Sequence, residues 1–148
     1  MESRRTEDGY LLRLVPGEEV LGSLTDFLRR HAVASGTVAG IGALTGIELG
    51  FFRRADASYI RRTLTGEWEL LALTGNLSRV KGEPFVHAHV VVGDESFRAL
   101  GGHLFRGVVT VSAELAVRTS AVAIERVRDP DLGFLALCLD PEPPGRGG

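Results

Sequence analysis

Alternation of apolar and polar positions dominates this chain, and a repeat of three to four residues occurs once. Tyr10 to Val15 alternates and predicts a first strand. Pro16-Gly17-Glu18-Glu19 then opens a helix along which Val20, Leu21, Leu24, Phe27, Leu28 and His31 recur at spacings of three and four, one buried stripe. Its charges agree with that direction: Glu18 and Glu19 in the first turn and Arg29 and Arg30 in the last complement the macrodipole. His31, ending the stripe, reads as a helix-terminal or interface residue. From Thr37 through Gly40-Ile41-Gly42-Ala43-Leu44 to Ile47, Leu49 and Phe51 the pattern becomes a strand, with glycines where backbones approach closely. Further strands are predicted over Tyr59–Leu64, Trp68–Leu73, Phe85–Val92 and Gly107–Val117. In the last of these, Val109, Val111, Ala113, Leu115 and Val117 share one face. Val122–Val127 and Phe134–Leu139 complete the set, separated by the turn Asp129-Pro130-Asp131.

One helix among many closely linked strands predicts an α+β domain, with a mainly antiparallel sheet and one principal helix. The domain is assigned to residues 10–140, preceded by an N-terminal segment over 1–9. Residues 141–148, Pro-Glu-Pro-Pro-Gly-Arg-Gly-Gly, are expected to be a disordered tail. A single helix cannot cover so much sheet, so an apolar face or edge is expected to be exposed and closed by self-association.

The 148 residues suffice for one domain with a sizeable core and no disulfide. The single cysteine, Cys138, sits in the apolar run Phe134–Leu139 and reads as a small core hydrophobe in a reducing compartment. Neither a signal-peptide core nor an apolar run of membrane-spanning length is present, so no membrane partner is expected and a cytoplasmic location is. Seventeen Lys+Arg against nineteen Asp+Glu give a net charge of −2, which excludes the global basic field that drives nucleic-acid binding. Basic clusters are limited to the pairs Arg4-Arg5, Arg29-Arg30, Arg53-Arg54 and Arg61-Arg62.

Candidate chemistry lies in Pro84-Phe85-Val86-His87-Ala88-His89-Val90-Val91-Val92 and, beyond a polar break, Gly101-Gly102-His103. Residues i and i+2 of a strand share a face, so His87 and His89 point the same way. A hairpin turning through Gly93-Asp94-Glu95-Ser96 returns His103 to the level of His89. Directly opposite residues have Cβ atoms about 4.5–5.5 Å apart, close enough for imidazoles to share one ion. Three imidazoles leave a fourth coordination position open for water or a ligand. The expectation depends on register, since a slip of one residue sends His103 to the other face, and a bulge at Gly101-Gly102 would shift the count. His87, His89 and His103 are therefore the candidate ligands of a divalent metal, zinc before others.

Gly66-Glu67-Trp68-Glu69-Leu70-Leu71-Ala72-Leu73-Thr74-Gly75-Asn76-Leu77, Pro84–Val90 and Gly101-Gly102-His103-Leu104 occur here in an order that resembles the plants-and-prokaryotes-conserved (PPC) domain. Gly40-Ile41-Gly42-Ala43 and Glu125-Arg126-Val127 extend the resemblance from about Tyr10 to Leu139. It implies an α+β domain assembling as a homotrimer, found in plants beside AT-hook DNA-binding segments and in prokaryotes standing alone. It also implies metal binding in some prokaryotic members, with His87, His89 and His103 as the matching ligands. An AT-hook centres on Arg-Gly-Arg-Pro in a basic setting, whereas this tail offers Pro144-Gly145-Arg146-Gly147 beside Glu142.

Two functions compete. In one, a metal-binding homotrimer acts on or binds a small molecule, with the ion as Lewis acid and Glu69 or Glu114 as proton carrier. A solvated strand face accounts equally for both glutamates, and whether the protein is an enzyme stays open. Asn76 either orients a ligand or serves as a turn residue. In the alternative, a DNA-associated regulatory or architectural module uses its trimer surface and arginine pairs. A cupin-type metal motif is approached by Gly82, His87, His89 and Glu95, but its intervals are each one residue off. Gly40-x-Gly42-x-x-x-Gly46 has the wrong spacing for a dinucleotide loop, and no helix follows it.

Overall fold

Four long strands carry the fold, and the computed structural model describes residues 1–139. The chain runs β1 (Glu2–Arg5), β2 (Gly9–Leu14), α1 (Val20–Arg30), β3 (Ser35–Arg53), β4 (Ser58–Val80), β5 (Glu83–Gly93), β6 (Ala99–Ser120), β7 (Arg126–Arg128) and β8 (Leu135–Leu137). The main sheet has the order β1-β2-β6-β3-β4-β5, and β6 also pairs with β5. Strands β3, β4, β5 and β6 thus close on themselves, every pairing antiparallel. Closure removes edges that would otherwise be open to other chains. The mainly antiparallel sheet with one helix is as the sequence pattern predicts.

Helix α1 forms where the three-to-four spacing places it. Glu19 is its N-cap, accepting from the backbone N–H of Leu21 at 3.3 Å and Gly22 at 2.6 Å. Glu18 and Glu19 thus precede the helix rather than occupy its first turn, which has no acidic residue, while Arg29 and Arg30 do lie in the last. Val20, Leu24, Phe27 and Leu28 are buried in one core with Leu14, Leu44, Ile47, Leu70, Leu104 and Leu115. His31 caps the C-terminus and stacks on Phe27 at 4.3 Å, the helix-terminal role its position suggested.

Several sequence boundaries move. The strands expected at Tyr59–Leu64 and Trp68–Leu73 are one strand, β4, which passes through Gly66 at φ +80°. Opposite it the pairing steps from Thr45↔Glu67 to Ile47↔Leu64. Positive φ lets glycine absorb the extra residue as a bulge instead of ending the ladder. The segment 1–9, assigned outside the domain, contributes β1, paired with β2 from Glu2↔Arg13 to Arg5↔Tyr10. Val122–Val127 and Phe134–Leu139 shrink to the three-residue strands β7 and β8. Cys138 is partly buried and lies outside the core. The tail at 141–148 lies outside the described residues. Among the described residues, no helix is long and apolar enough to cross a membrane.

An apolar face is left uncovered, as expected for one helix. Leu11, Ile41, Leu71 and Val111 are 54%, 57%, 52% and 70% exposed. Leu11, Ile41 and Leu71 line a groove of about 850 Å³ with Ala39 and Leu73.

Candidate metal centre

Strand β5 lies between β4 and β6, and this sandwiching assembles the site. Its partners set the register: His87 opposite Asn76, and His89 opposite both Thr74 and His103. The hairpin behind that register is fixed by Asp94, whose carboxylate accepts from the backbone N–H of Ser96 and Arg98 and pairs with the Arg98 guanidinium. Gly101 and Gly102 pair regularly with Val91 and Val90, so the bulge considered there is not formed. Close approach of β4 to β5 requires a glycine at 75, where a Cβ would lie 2.4 Å from the His87 carbonyl oxygen.

The three histidines converge. Their ring centroids are 5.2 Å (His87–His89), 4.9 Å (His87–His103) and 5.2 Å (His89–His103) apart. One nitrogen of each lies within 4.8 Å of the others, a spacing that small side-chain rotations convert into shared coordination of one ion. His87 and His103 are partly buried and His89 is exposed. Aromatic side chains wall one side: Tyr59 lies 5.2 Å and Phe105 4.7 Å from the His103 ring.

Electrostatics keep the two sheltered rings neutral. Burial, then the positive charge of Arg126 and of His89, pushes His87 down to about 4. Burial, then His87, His89, Arg61 and Arg126, pushes His103 down to about 4. Neutral imidazole is the form that donates a lone pair to a metal. The Nδ1 of His103 is buried without a hydrogen-bond partner, whereas buried polar atoms are ordinarily paired. A ring nitrogen left without a partner on one of three clustered imidazoles fits a first-row divalent ion. When bound, such an ion supplies Lewis-acid chemistry at its open position.

The sequence reading did not foresee Arg126. It is 5% exposed and reaches the site from β7, with Nη2 3.0 Å from His87 Nδ1 and 2.5 Å from Asn76 Oδ1. Its Nε donates to Ser78 Oγ at 3.0 Å and its Nη1 to the Leu135 carbonyl at 2.6 Å. Asn76 is not a turn residue but lies mid-strand in β4, where its Oδ1 accepts from the guanidinium. Glu69 and Glu114 are not brought to the histidines. Both line a cleft on the exposed sheet face with Ile41, Leu71 and Val111. Glu69 lies opposite Gly93, four residues along β5 from His89, roughly 13 Å at strand spacing.

A family model for the Plants and Prokaryotes Conserved domain matches residues 1–121. The chain belongs to this family. Solved structures of similar chains agree with the fold of this Plants and Prokaryotes Conserved protein. A plant- and prokaryote-conserved protein of Pyrococcus horikoshii is 34% identical at TM-score 0.82, covering 94% of this chain and 95% of that one. A metal-containing protein from Archaeoglobus fulgidus is 28% identical at TM-score 0.82, with 94% and 100% covered. A candidate DNA-binding protein from Bacteroides thetaiotaomicron is 28% identical at TM-score 0.89, with 93% and 96% covered. Among curated proteins, the bifunctional protein GlmU of Synechococcus sp. (strain JA-3-3Ab) is 33% identical over 136 residues. The match spans 88% of this chain and 20% of that relative.

Proposed function

We propose that this protein is a metal-binding Plants and Prokaryotes Conserved protein, holding a divalent ion, zinc first among them, on His87, His89 and His103. The convergence of three imidazole nitrogens within 4.8 Å carries the reading. The partnerless Nδ1 of His103 and the metal-containing relative from Archaeoglobus fulgidus support it. Three nitrogen ligands with one open position suit an ion that binds or activates a small molecule. Self-association as a homotrimer belongs to the same reading, supported by the exposed Leu11, Ile41, Leu71 and Val111 and by what the family resemblance implies.

A DNA-associated role draws on the relative from Bacteroides thetaiotaomicron. It is disfavoured by the charge distribution. Three of the eight arginines in those pairs are bound to carboxylates, Arg29 to Asp26, Arg53 to Asp56 and Arg61 to Glu48, and the net charge of −2 provides no basic field for phosphates. Elemental analysis of the purified chain separates the readings. One equivalent of a first-row metal per chain, absent from the His89→Ala variant, is the expected result. A metal-free wild type that stays so after dialysis against zinc would reject it.

A further inference from the structure

Among the described residues, Arg126 is a buried cation with no carboxylate beside it. Its hydrogen bonds to those residues all run to neutral acceptors, namely Ser78, Asn76, the Leu135 carbonyl and His87. A buried charge is normally paired, because hydrogen bonds to neutral groups only partly replace water. The surrounding field offers no relief. Among the described residues, the charged groups that act on His87 and His103 are Arg126, Arg61 and the neighbouring histidines, every one of them cationic in its charged form. Tyr59 alone acts on Arg126 in the opposite sense, and it is a phenol.

Hydrogen-bond accounting at His87 sharpens this. A guanidinium can only donate, so the Nδ1 that faces Arg126 must accept, and the proton of the neutral ring sits on Nε2. Metal-bound histidines ordinarily show the reverse, donating their second N–H to an acceptor. For His87 to ligate an ion, its single lone pair must leave Arg126, unless the ring gives up both protons. One Nη2 N–H is then released beside a dication, in a site that already holds an unpaired positive charge. One further Nη1 N–H is uncommitted, since a guanidinium has five and the bonds above use four.

We propose that the ligand of this site is an anionic small molecule, whose carboxylate or phosphate oxygens bridge the ion on the histidines and the guanidinium of Arg126. The inference rests on the metal reading above. An oxyanion supplies the acceptor that His87 withdraws and the negative charge that the described residues lack, and guanidinium with carboxylate or phosphate is the pairing its fork geometry favours. The Tyr59 ring packs 5.2 Å from that of His103, and no hydrogen bond engages its hydroxyl among the described residues.

The test uses the full chain loaded with cobalt(II), whose visible absorption reports coordination directly. Malonate, inorganic phosphate and uncharged malonamide are titrated at constant ionic strength. A saturable spectral change with malonate or phosphate, and none with malonamide, is expected. A response to phosphate alone assigns phosphorylated molecules, and a response to malonate alone assigns carboxylic acids. Arg126→Gln should keep cobalt while binding the anion at least about tenfold more weakly, the scale of a lost charge-assisted hydrogen bond. Equal responses to malonate and malonamide, or equal anion affinity in the two proteins, would overturn the proposal. If Arg126→Gln does not fold, the malonate and malonamide comparison in wild type decides. Cobalt bound without any anion response defeats this inference alone; no bound cobalt defeats it together with the metal reading.

Discussion

Arg126 and His87 meet at 3.0 Å with the guanidinium donating into the ring's only lone pair. An ion and Arg126 therefore compete for the same imidazole. Removing the competitor should tighten metal binding, since even one pair of unit charges 4 Å apart is worth about 4 kcal/mol at an effective dielectric of 20. Arg126→Gln is expected to bind zinc at least about tenfold more tightly by competition with a chelator. The same variant should lose about 1–3 kcal/mol of stability to urea, because Ser78, Asn76 and the Leu135 carbonyl lose their donor. Looser zinc binding would show that Arg126 supports the ligand set.

The metal-free protein should lose stability as pH falls from about 6.5 to about 4. His87 and His103 are pushed to about 4 in the folded chain, chiefly by burial. Unfolded, each returns to about 6.5, so between these values the unfolded state binds more protons and gains on the folded one. Urea midpoints at pH 7 and pH 5 should differ in that direction, and the difference should shrink in a His87→Asn, His103→Asn double variant. A midpoint that is equal at both pH values in wild type would contradict the buried, neutral rings.

Gly75→Ala should destabilise the fold and displace the histidines together. Its Cβ would meet the His87 carbonyl oxygen at 2.4 Å and the Ala88 Cα at 3.1 Å, both backbone atoms that cannot step aside alone. A cost of about 1–3 kcal/mol is expected, the usual range for forced overpacking. Thermal unfolding measures the cost, and zinc titration of the folded fraction should show weakened binding. Unchanged values of both would mean that β4 and β5 separate freely.

Self-association should depend on the uncovered sheet face. Ile41→Asp introduces a charge where the side chain is 57% exposed, so the chain stays folded while the contact is lost. Light scattering is expected to report a trimer for wild type and a smaller species for the variant. A wild-type monomer at micromolar concentration would remove the trimer from the account.

Much of the site was legible because it is local. His87, His89 and His103 lie on one hairpin; strand periodicity puts His87 and His89 on one face, and the regular pairing through Gly101 and Gly102 brings His103 to it. The α1 stripe was legible for the same reason, a single period over eleven residues. Arg126 was not, although it lies within Glu125-Arg126-Val127. It reaches His87 across 39 residues and Asn76 across 50, through a three-residue strand whose position no local pattern encodes. Strand β1 escaped because Glu2-Ser3-Arg4-Arg5 is exposed throughout and has no apolar alternation. Continuity of β4 through Gly66 was hidden because a glycine in a strand reads equally as a bulge or an end.

The central claim is that three histidines of one hairpin hold a single ion. Anomalous diffraction at the zinc absorption edge, from crystals grown with zinc, tests it most directly. The account predicts one strong anomalous peak per chain within about 2.0–2.1 Å of a ring nitrogen of each of His87, His89 and His103. An empty cluster, or zinc held elsewhere while Arg126 keeps its contact with His87, would contradict it.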